Sequence, residues 1–346
     1  MSESDAYTVP RLYAMADLIT PMAIRVAATL RIADRIDAGT RTAAGLAEET
    51  GTDPAALQRV LEHLVTVGVL AGAADGYALT ELGRELHDEH PDHVRAWLDI
   101  RGAVGRGDLS LLHLLETVQS GQPAYPVLFG RGFWDDLDAD PQLAASFHRL
   151  MSGRLIDAPV LARAYDWGSL GRVVDVGGGD GTLLAEILKA HPALTGTVLD
   201  RPSAVADAQR RFERDGLADR ADVVAGSFFD PLPPGGSYLL SGVVHDWDDE
   251  HALAILKSIR AAMAPDAKLI IAEMIASARP SLAEAFRDLT LLAIAGGVVR
   301  SEAEFRALLT SAGFELRRVI GTVEQFPLAK VMRIPGQYSI LECVPR

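Results

Sequence analysis

Short apolar segments alternate with helical segments from about Arg172 onward, and this alternation restricts the folds that the chain can adopt. The apolar segments are rich in Val, Ile and Leu on both faces, which is typical of buried parallel strands. They predict strands at 172–176, 195–199, 221–225, 237–244 and 268–273. Helical stretches lie between them, at 182–190, 203–215 and 249–263, and two β-prone runs at 314–320 and 338–344 follow. The pattern predicts an α/β fold with a doubly wound, mostly parallel sheet.

The first hundred residues have a different pattern. Gly51 ends one predicted helix, and Asp53 followed by Pro54 begins the next, as an N-cap followed by proline commonly does. A short hairpin is predicted between 69 and 79. Helix, turn, helix and hairpin together form the winged-helix pattern. Its second helix offers Arg59 as its only firm positive charge, whereas DNA recognition needs a basic face, so packing or dimerisation is favoured over DNA binding.

Length and charge limit the organisation of the chain and its partners. A chain of 346 residues is long enough for two or three domains, and we predict divisions at 1–100, 101–168 and 169–346, the middle part being a helical bridge that contributes to a substrate pocket. With 33 Lys and Arg against 47 Asp and Glu, the net charge is −14, which disfavours nucleic acids and anionic membranes. The acidic start and the absence of an apolar run of ~18 residues predict a cytoplasmic protein.

Metal and disulfide chemistry are not predicted. The single cysteine excludes an intrachain disulfide and a zinc site built from cysteines. His87, His90 and His93 are spaced three residues apart, but Pro91 interrupts the helix that would align them. We therefore predict no metal site.

A glycine-rich turn follows the first strand of the second half, in the run VDVGGGDGT at 174–182. Such a turn lets backbone amides approach a ligand closely. A P-loop needs Gly-Lys-Ser/Thr after its glycines, and a dinucleotide site needs Gly or Ala where Thr182 stands. The pattern that fits places Asp175 inside the strand and Gly177 and Gly179 in the turn. This pattern is the signature of S-adenosylmethionine sites.

Asp200 ends the second predicted strand, where a carboxylate that binds a ribose belongs. Its position alone does not separate S-adenosylmethionine from NAD, because both present a ribose diol. Helix capping before Pro202 is the structural alternative. Together with the glycine turn, however, Asp200 favours S-adenosylmethionine as the cofactor.

A candidate general base follows the fourth strand. His245 lies near a carboxyl-terminal strand end, where ligands bind in open α/β sheets, and an ordinary histidine pKa of ~6.5 suits it to take a proton from a phenol. Glu273 ends the fifth strand at the same edge, and Glu302 begins a later helix. A carboxylate on the far ring nitrogen would fix the tautomer of the histidine. The structural alternative is a satisfied histidine at a helix start, and the neighbouring acids are interpreted as helix N-terminal charges: Asp246, Asp248 and Asp249.

These residues resemble the small-molecule O-methyltransferases of plant phenylpropanoid and bacterial aromatic-polyketide pathways, especially actinobacterial enzymes that methylate anthracycline and naphthoate hydroxyls. The resemblance covers nearly the whole chain. It implies a Rossmann-like class I methyltransferase domain, an N-terminal, mainly helical winged-helix dimerisation domain, a homodimer, and methyl transfer from S-adenosylmethionine to an aromatic hydroxyl. It also implies that His245 is the general base and that Glu273 and Glu302 orient it.

The same resemblance assigns the remaining site residues. It implies adenine contacts at Ser227 and Phe228, a position near the cofactor carboxylate at Ser241, and substrate contacts at Trp134, Phe147, Met151 and Asp288. Trp134 and Phe147 could equally be core residues. Position 227 is often Asp in the family, and position 241 is Lys in many plant members. Arg154 is therefore a candidate cation for the cofactor carboxylate.

Some relatives in this family lost the histidine and became hydroxylases or pericyclases that keep the cofactor. The alternative function is therefore a same-fold hydroxylase, decarboxylase or pericyclase. The presence of His245 with both acids argues against that alternative.

Overall fold

A computed structural model describes residues 11–151, 158–234, 236–321 and 338–346. The chain divides into two compact units, one up to Arg106 and one from Gly107 onward. The division falls inside a single helix, Ala103–Asp108.

The first unit is mainly helical and contains a small hairpin. Its helices before the division are α1 (Arg11–Met15), α2 (Ile19–Thr29), α3 (Ile32–Asp37), α4 (Ala43–Thr50), α5 (Pro54–Thr66), α6 (Glu81–Arg84) and α7 (Val94–Leu98). The hairpin consists of β1 (Leu70–Ala73) and β2 (Gly76–Leu79), which pair antiparallel. Helix α8 is Ala103–Asp108.

The helix–turn–helix of this unit follows from its local sequence. Gly51 adopts a φ of 66° and ends α4, which glycine does without steric cost. The side chain of Asp53 accepts a hydrogen bond from a backbone N–H in the first turn of α5, and Pro54 occupies the first helical position. The apolar face of α5 is buried through Leu61 against Leu46 of α4. The predicted winged-helix arrangement is confirmed.

The second unit begins with helices and continues as a sheet with helices on both faces. Its helices are α9 (Leu114–Ser120), α10 (Tyr125–Phe129), α11 (Phe133–Ala139), α12 (Pro141–Met151), α13 (Ala158–Ala164), α14 (Thr182–Ala190), α15 (Pro202–Arg214), α16 (Asp249–Ala262), α17 (Leu282–Ala295) and α18 (Glu302–Ser311). Its strands are β3 (Arg172–Val176), β4 (Thr195–Asp200), β5 (Ala221–Ala225), β6 (Ser237–Ser241), β7 (Leu269–Met274), β8 (Phe314–Gly321) and β9 (Tyr338–Pro345).

The strand order is β5-β4-β3-β6-β7-β9-β8. The first five strands of this order run parallel, and β9 pairs antiparallel with both β7 and β8. Alternate residues of β3 enter the two cores: Val173 packs with α13, α14 and α15, whereas Val174 packs with α16 and α18. The chain order reverses between β3 and β6, which makes the carboxyl ends of these strands the expected ligand position.

One predicted strand is shorter than expected. The apolar run at 237–244 predicts a strand to Val244, but β6 ends at Ser241 because Gly242 adopts a φ of 64°. The chain then enters a 3-10 turn at Val244–Asp246. His245 therefore lies on a turn after the strand.

Candidate active site

The sequence-predicted cofactor residues meet at the carboxyl edge of the parallel strands. The glycine turn follows β3, Asp200 ends β4 and Ser241 ends β6. The turn is tied to the neighbouring strand because the N–H of Gly179 donates to Asp200 Oδ2 at 2.8 Å. Gly177 and Gly179 have φ values of 73° and 58°, which a residue with a side chain adopts only with strain. The glycine turn and Asp200 are therefore held next to each other at the carboxyl edge of the sheet.

Buried polar atoms at this edge fit the amino-acid end of S-adenosylmethionine. Asp175 Oδ1 and Ser241 Oγ are buried and have no hydrogen-bond partner among the described residues, although buried polar atoms normally have one. Burial, together with the charge of Asp200, raises the pKa of Asp175 to about 7. A Cβ at position 178 would lie 2.6 Å from Asp175 Oδ2, so glycine is needed beside this carboxylate. An ammonium group would supply the missing donor.

The residues predicted to flank an adenine lie on the same edge. Phe228 Cε1 lies 3.8 Å from the position that a Cβ of Gly177 would take, and its ring packs edge-on against Trp247 at 5.6 Å between centroids. Ser227 Oγ accepts a hydrogen bond from the N–H of Phe229 at 3.1 Å. The Ser227 hydroxyl therefore supports the local turn with its oxygen and keeps its hydrogen to donate.

His245 and Glu273 form a buried pair. The distance between His245 Nδ1 and Glu273 Oε2 is 2.6 Å, and the residues are 6% and 0% exposed. The backbone N–H of Val244 donates to Glu273 Oε1 at 2.9 Å, so the carboxylate holds both the imidazole and the turn that carries it. This arrangement places the Nδ1 proton toward Glu273 and leaves the Nε2 lone pair for a proton.

The electrostatics make His245 a stronger base than an ordinary histidine. Burial by itself lowers the pKa of His245, but the charges of Glu273 and Asp246 more than offset this effect, so its pKa lies above the usual value. Burial alone would raise the pKa of Glu273, yet the pairing with His245 holds it below its usual value. The pair is therefore arranged to stabilise an imidazolium.

Two groups approach the other ring nitrogen. Arg287 Nη2 lies 3.1 Å from His245 Nε2, and Asp246 Oδ1 lies 3.3 Å from it. Burial raises the pKa of Asp246. The interpretation of Asp246 as a helix N-terminal charge is wrong, because the 3-10 turn directs it to His245. Asp248, by contrast, caps α16 by accepting from the N–H of His251.

Glu302 does not reach His245 in this structure, so its expected role is corrected. Its Oε1 accepts from Arg306 Nη2 at 2.7 Å, and its side chain is 47% exposed. Glu302 is the first residue of α18 and Arg306 lies one turn later, so the pair forms within the helix. The carboxylate that orients the imidazole is that of Glu273.

The predicted substrate residues lie on the helical part of the second unit and on α17. Trp134 of α11 stacks on Trp247 with centroids 6.1 Å apart, and Phe147 of α12 meets Trp134 edge-on at 5.6 Å. Met151 is the half-buried last residue of α12. Asp288 Oδ1 accepts from the N–H of Val299 at 3.1 Å and so anchors the loop after α17. Arg154 lies outside the described residues.

Arg300 supports the site, and nothing in the sequence pattern indicated this role. Its buried guanidinium donates to the carbonyl oxygens of Val244 and Trp247 at 2.9 and 2.8 Å, and it pairs with Asp249. These bonds hold the turn that carries His245. The only sequence signal was its place in the run Arg-Ser-Glu after the Gly-Gly turn, which does not reveal what an arginine contacts.

The glycine turn, Asp200 and the buried histidine–carboxylate pair define a class I methyltransferase site at the switch point of a doubly wound sheet. Comparisons with known proteins agree. Residues 13–89 match the model of the O-methyltransferase dimerisation domain, and residues 111–315 match that of the O-methyltransferase domain. The chain belongs to this O-methyltransferase family and is an S-adenosylmethionine-dependent O-methyltransferase. The predicted fold class, enzyme class and cofactor are confirmed.

Two relatives with different named activities are similar to most of the chain. The chain is 50% identical over 309 residues to 2,7-dihydroxy-5-methyl-1-naphthoate 7-O-methyltransferase of Streptomyces carzinostaticus, covering 88% of this chain and 92% of the relative. It is 43% identical over 340 residues to aclacinomycin 10-hydroxylase RdmB of Streptomyces purpurascens, covering 95% and 88%.

A solved structure has a similar fold. The O-methyltransferase NcsB1 from neocarzinostatin biosynthesis, in complex with S-adenosylmethionine and 2-hydroxy-5-methyl naphthoic acid, has a TM-score of 0.87 and 45% identity to the chain. The match covers 99% of this chain and 100% of that one.

Proposed function

We propose that the chain methylates a hydroxyl group of an aromatic natural product of the naphthoate or polyketide type, with His245 as the general base. The observation that carries this proposal is the buried pair of His245 and Glu273, which leaves Nε2 to receive a proton. The naphthoate O-methyltransferase at 50% identity and the naphthoic acid in the NcsB1 complex support an aromatic acceptor.

The residues proposed to hold the cofactor are those at the carboxyl edge: Asp175, Gly177, Gly179, Asp200, Ser227, Phe228 and Ser241. Asp175 would accept from the ammonium group, Asp200 would bind the ribose hydroxyls, and Phe228 would cover the adenine. When bound, S-adenosylmethionine would supply a methyl group whose carbon accepts an electron pair from the acceptor oxygen, while the electron pair of the broken carbon–sulfur bond stays on sulfur.

The chain's own contribution is proton transfer and alignment. The acceptor O–H bond breaks as its proton passes to His245 Nε2, and the carboxylate of Glu273 stabilises the resulting imidazolium through Nδ1–H. Trp134 and Phe147 would provide flat apolar surface for an aromatic ring, and Met151 would extend it. Holding the oxygen in line in a dry site accounts for most of the rate enhancement we expect.

A same-fold hydroxylase, decarboxylase or pericyclase is the second candidate. The observation that favours it is the 43% identity to aclacinomycin 10-hydroxylase RdmB. The intact pair of His245 and Glu273 favours methyl transfer, because hydroxylation, decarboxylation and pericyclic reactions do not need a base for a hydroxyl proton.

We also propose a homodimer formed through the N-terminal dimerisation domain, a helical bridge at 101–168 that contributes to the pocket, and a cytoplasmic location. The matched dimerisation model supports the first of these. No helix in the described ranges is both long enough and apolar enough to span a membrane.

A methyl-transfer screen tests the proposed function. Purified enzyme is incubated with S-adenosylmethionine carrying a deuterated methyl group and with a panel of phenols, hydroxynaphthoates and polycyclic quinones. We expect mass spectrometry to show a gain of one labelled methyl group on at least one hydroxynaphthoate or polyketide. Products that gain oxygen or lose carbon dioxide without gaining the label would support the alternative instead.

A further inference from the structure

Arg287 lies within hydrogen-bonding distance of His245 Nε2, the nitrogen proposed to receive the substrate proton. Arg287 Nη2 lies 3.1 Å from His245 Nε2, and Arg287 Nε is buried with no hydrogen-bond partner in the described part of the chain. Guanidinium groups only donate, so the Nη2–H must point at the Nε2 lone pair. A permanently charged guanidinium therefore occupies the hydrogen-bonding position at Nε2 that the acceptor hydroxyl needs.

Charged and titratable groups surround this cation. Charged and titratable groups face it from several elements: His245 and Asp246 on the 3-10 turn, Glu273 on β7, and Tyr338 on β9, while Arg201 before α15 also acts on Asp246. Helix α17, which carries Arg287, begins with a capping box between Ser281 and Glu284. The two carboxylates of Asp246 and Glu273 compensate the charge of the guanidinium, which keeps it in a largely buried site.

We propose that Arg287 is a catalytic residue that donates a hydrogen bond to the reacting oxygen of the acceptor and stabilises the negative charge that develops there. This inference rests on the proposed function. The Nε2 lone pair accepts from one donor at a time, so an acceptor hydroxyl that donates to Nε2 takes the place of Nη2. A guanidinium displaced by about one hydrogen-bond length (~3 Å) then reaches the same oxygen, and its unpartnered Nε–H is a second donor.

The proton and charge balance requires no further reactant. The acceptor loses its hydroxyl proton to Nε2, and the electron pair left on oxygen is the one that attacks the methyl carbon. Once Nε2 carries the proton it can no longer accept from Arg287, so the guanidinium remains at the oxygen while negative charge develops there. A donor placed in advance where charge develops is an effective way to lower a barrier.

The first test measures ionisation of a bound phenol without turnover. The full-length enzyme is saturated with S-adenosylhomocysteine, and 1,4-dihydroxy-2-naphthoic acid is titrated by absorbance across pH in the wild type, Arg287→Met and Arg287→Lys. We expect the bound phenol to ionise at least one pH unit lower in the wild type than in Arg287→Met, with Arg287→Lys between them. Equal values in the wild type and Arg287→Met would overturn the proposal.

The second test uses acceptors of different acidity, so that a purely structural role gives a different result. The kcat/KM of Arg287→Met is compared with the wild type for 2-naphthol and for more acidic ring-substituted 2-naphthols. We expect the largest loss, at least tenfold, for the least acidic acceptor and a clearly smaller loss for the most acidic one. The same loss for every acceptor would mean that Arg287 only supports the fold.

Two controls separate the possible failures. Arg317→Met removes an exposed arginine that pairs with Glu315, and we expect it to match the wild type in both tests. Titration calorimetry with S-adenosylhomocysteine shows whether each variant keeps its cofactor site. If the wild type methylates no phenol at all, the proposed function fails; if it does and the Arg287 variants behave as Arg317→Met does, only this inference fails.

Discussion

Glu273 fixes the tautomer of His245, which an amide at the same position could not do. Its Oε2 accepts from Nδ1 at 2.6 Å, while its Oε1 accepts from the N–H of Val244. A glutamine could keep the second bond, but its NH₂ group would face Nδ1 and would favour the tautomer that carries the proton on Nε2. That tautomer cannot accept a proton from the substrate, which is the reason given for the large loss when a triad aspartate is replaced by asparagine.

We therefore predict that Glu273→Gln lowers kcat by about 10²–10⁴-fold. The carboxylate raises the pKa of His245, so its loss also moves the acid limb of the pH–rate profile to lower pH. The matched control is Glu302→Gln, which removes an exposed carboxylate paired with Arg306 and should leave the profile unchanged. Equal effects of the two substitutions would contradict the assignment of Glu273.

The raised pKa of Asp175 leads us to predict that cofactor binding depends on pH. Its pKa is raised to about 7, so its carboxylate is ionised above that pH and increasingly protonated below it. An ammonium group binds the ionised form more strongly, so the affinity for S-adenosylhomocysteine should rise between pH 6 and pH 8. Calorimetry should show this rise in the wild type and a weaker, flatter binding in Asp175→Asn. An identical pH dependence in the variant would show that another group is responsible.

At the scale of elements, the loop after α17 positions His245 from outside the sheet. The N–H of Val298 donates to the carbonyl oxygen of His245 at 2.9 Å, and Asp288 anchors the neighbouring Val299. A Cβ at Gly297 would overlap the His245 carbonyl oxygen and crowd the Cα of Asp246 at 3.1 Å. Glycine is needed at this position because two backbone segments approach closely.

We predict that Gly297→Ala lowers kcat more than tenfold while the affinity for S-adenosylhomocysteine stays within about threefold of the wild type. The displaced turn carries the base, whereas the glycine turn after β3 is built from different residues. Gly72→Ala is the matched control, because a Cβ there meets nothing within 4 Å. If Gly297→Ala weakened cofactor binding as strongly as it slowed turnover, a general loss of structure would explain it.

The sequence predicted most elements because local patterns specify them. Buried parallel strands have a continuous apolar signal, and the prediction at 172–176 coincides with β3. The end of β6 was missed because a positive φ at Gly242 is invisible in an apolar run. At the site, Asp175 was predictable from its position inside the strand before the glycine turn, and Asp200 and Glu273 were predictable from the ends of their predicted strands. Arg287 was not, since which side of a helix faces the site depends on tertiary packing.

Glu302 shows the converse case, a residue that was predicted to contact His245 and does not. A carboxylate at the start of a helix was expected to reach across to His245. The arginine one turn later is a closer partner, and an i, i+4 pair forms without any help from the rest of the fold. Local competition of this kind decides where a surface carboxylate points, and the resemblance to a family does not record it.

At the scale of the whole molecule, the N-terminal unit leaves apolar side chains exposed where it begins. Those on α1, α2 and the segment between them are 59–79% exposed: Leu12, Tyr13, Met15, Leu18 and Ile19. Exposed apolar patches commonly mark protein interfaces, and this one lies within or beside the matched dimerisation domain.

We predict that the wild type is a dimer by light scattering coupled to size exclusion, and that the double substitution of Leu18→Asp and Ile19→Asp shifts it toward monomer. Two buried aspartates at an interface would each lose solvation without a partner. Circular dichroism should show unchanged helix content, since both side chains are exposed within the unit. A wild type that is monomeric at micromolar concentration would contradict the proposed homodimer.

A single-turnover comparison of the wild type with His245→Ala tests whether His245 is the general base. Enzyme in excess is mixed with labelled S-adenosylmethionine and the best acceptor of the screen, and the methylated product is quantified over time by mass spectrometry. Loss of a general base should slow methyl transfer by about 10²–10⁴-fold, while calorimetry gives an unchanged affinity for S-adenosylhomocysteine. Methyl transfer at a near wild-type rate in His245→Ala would show that His245 is not the general base.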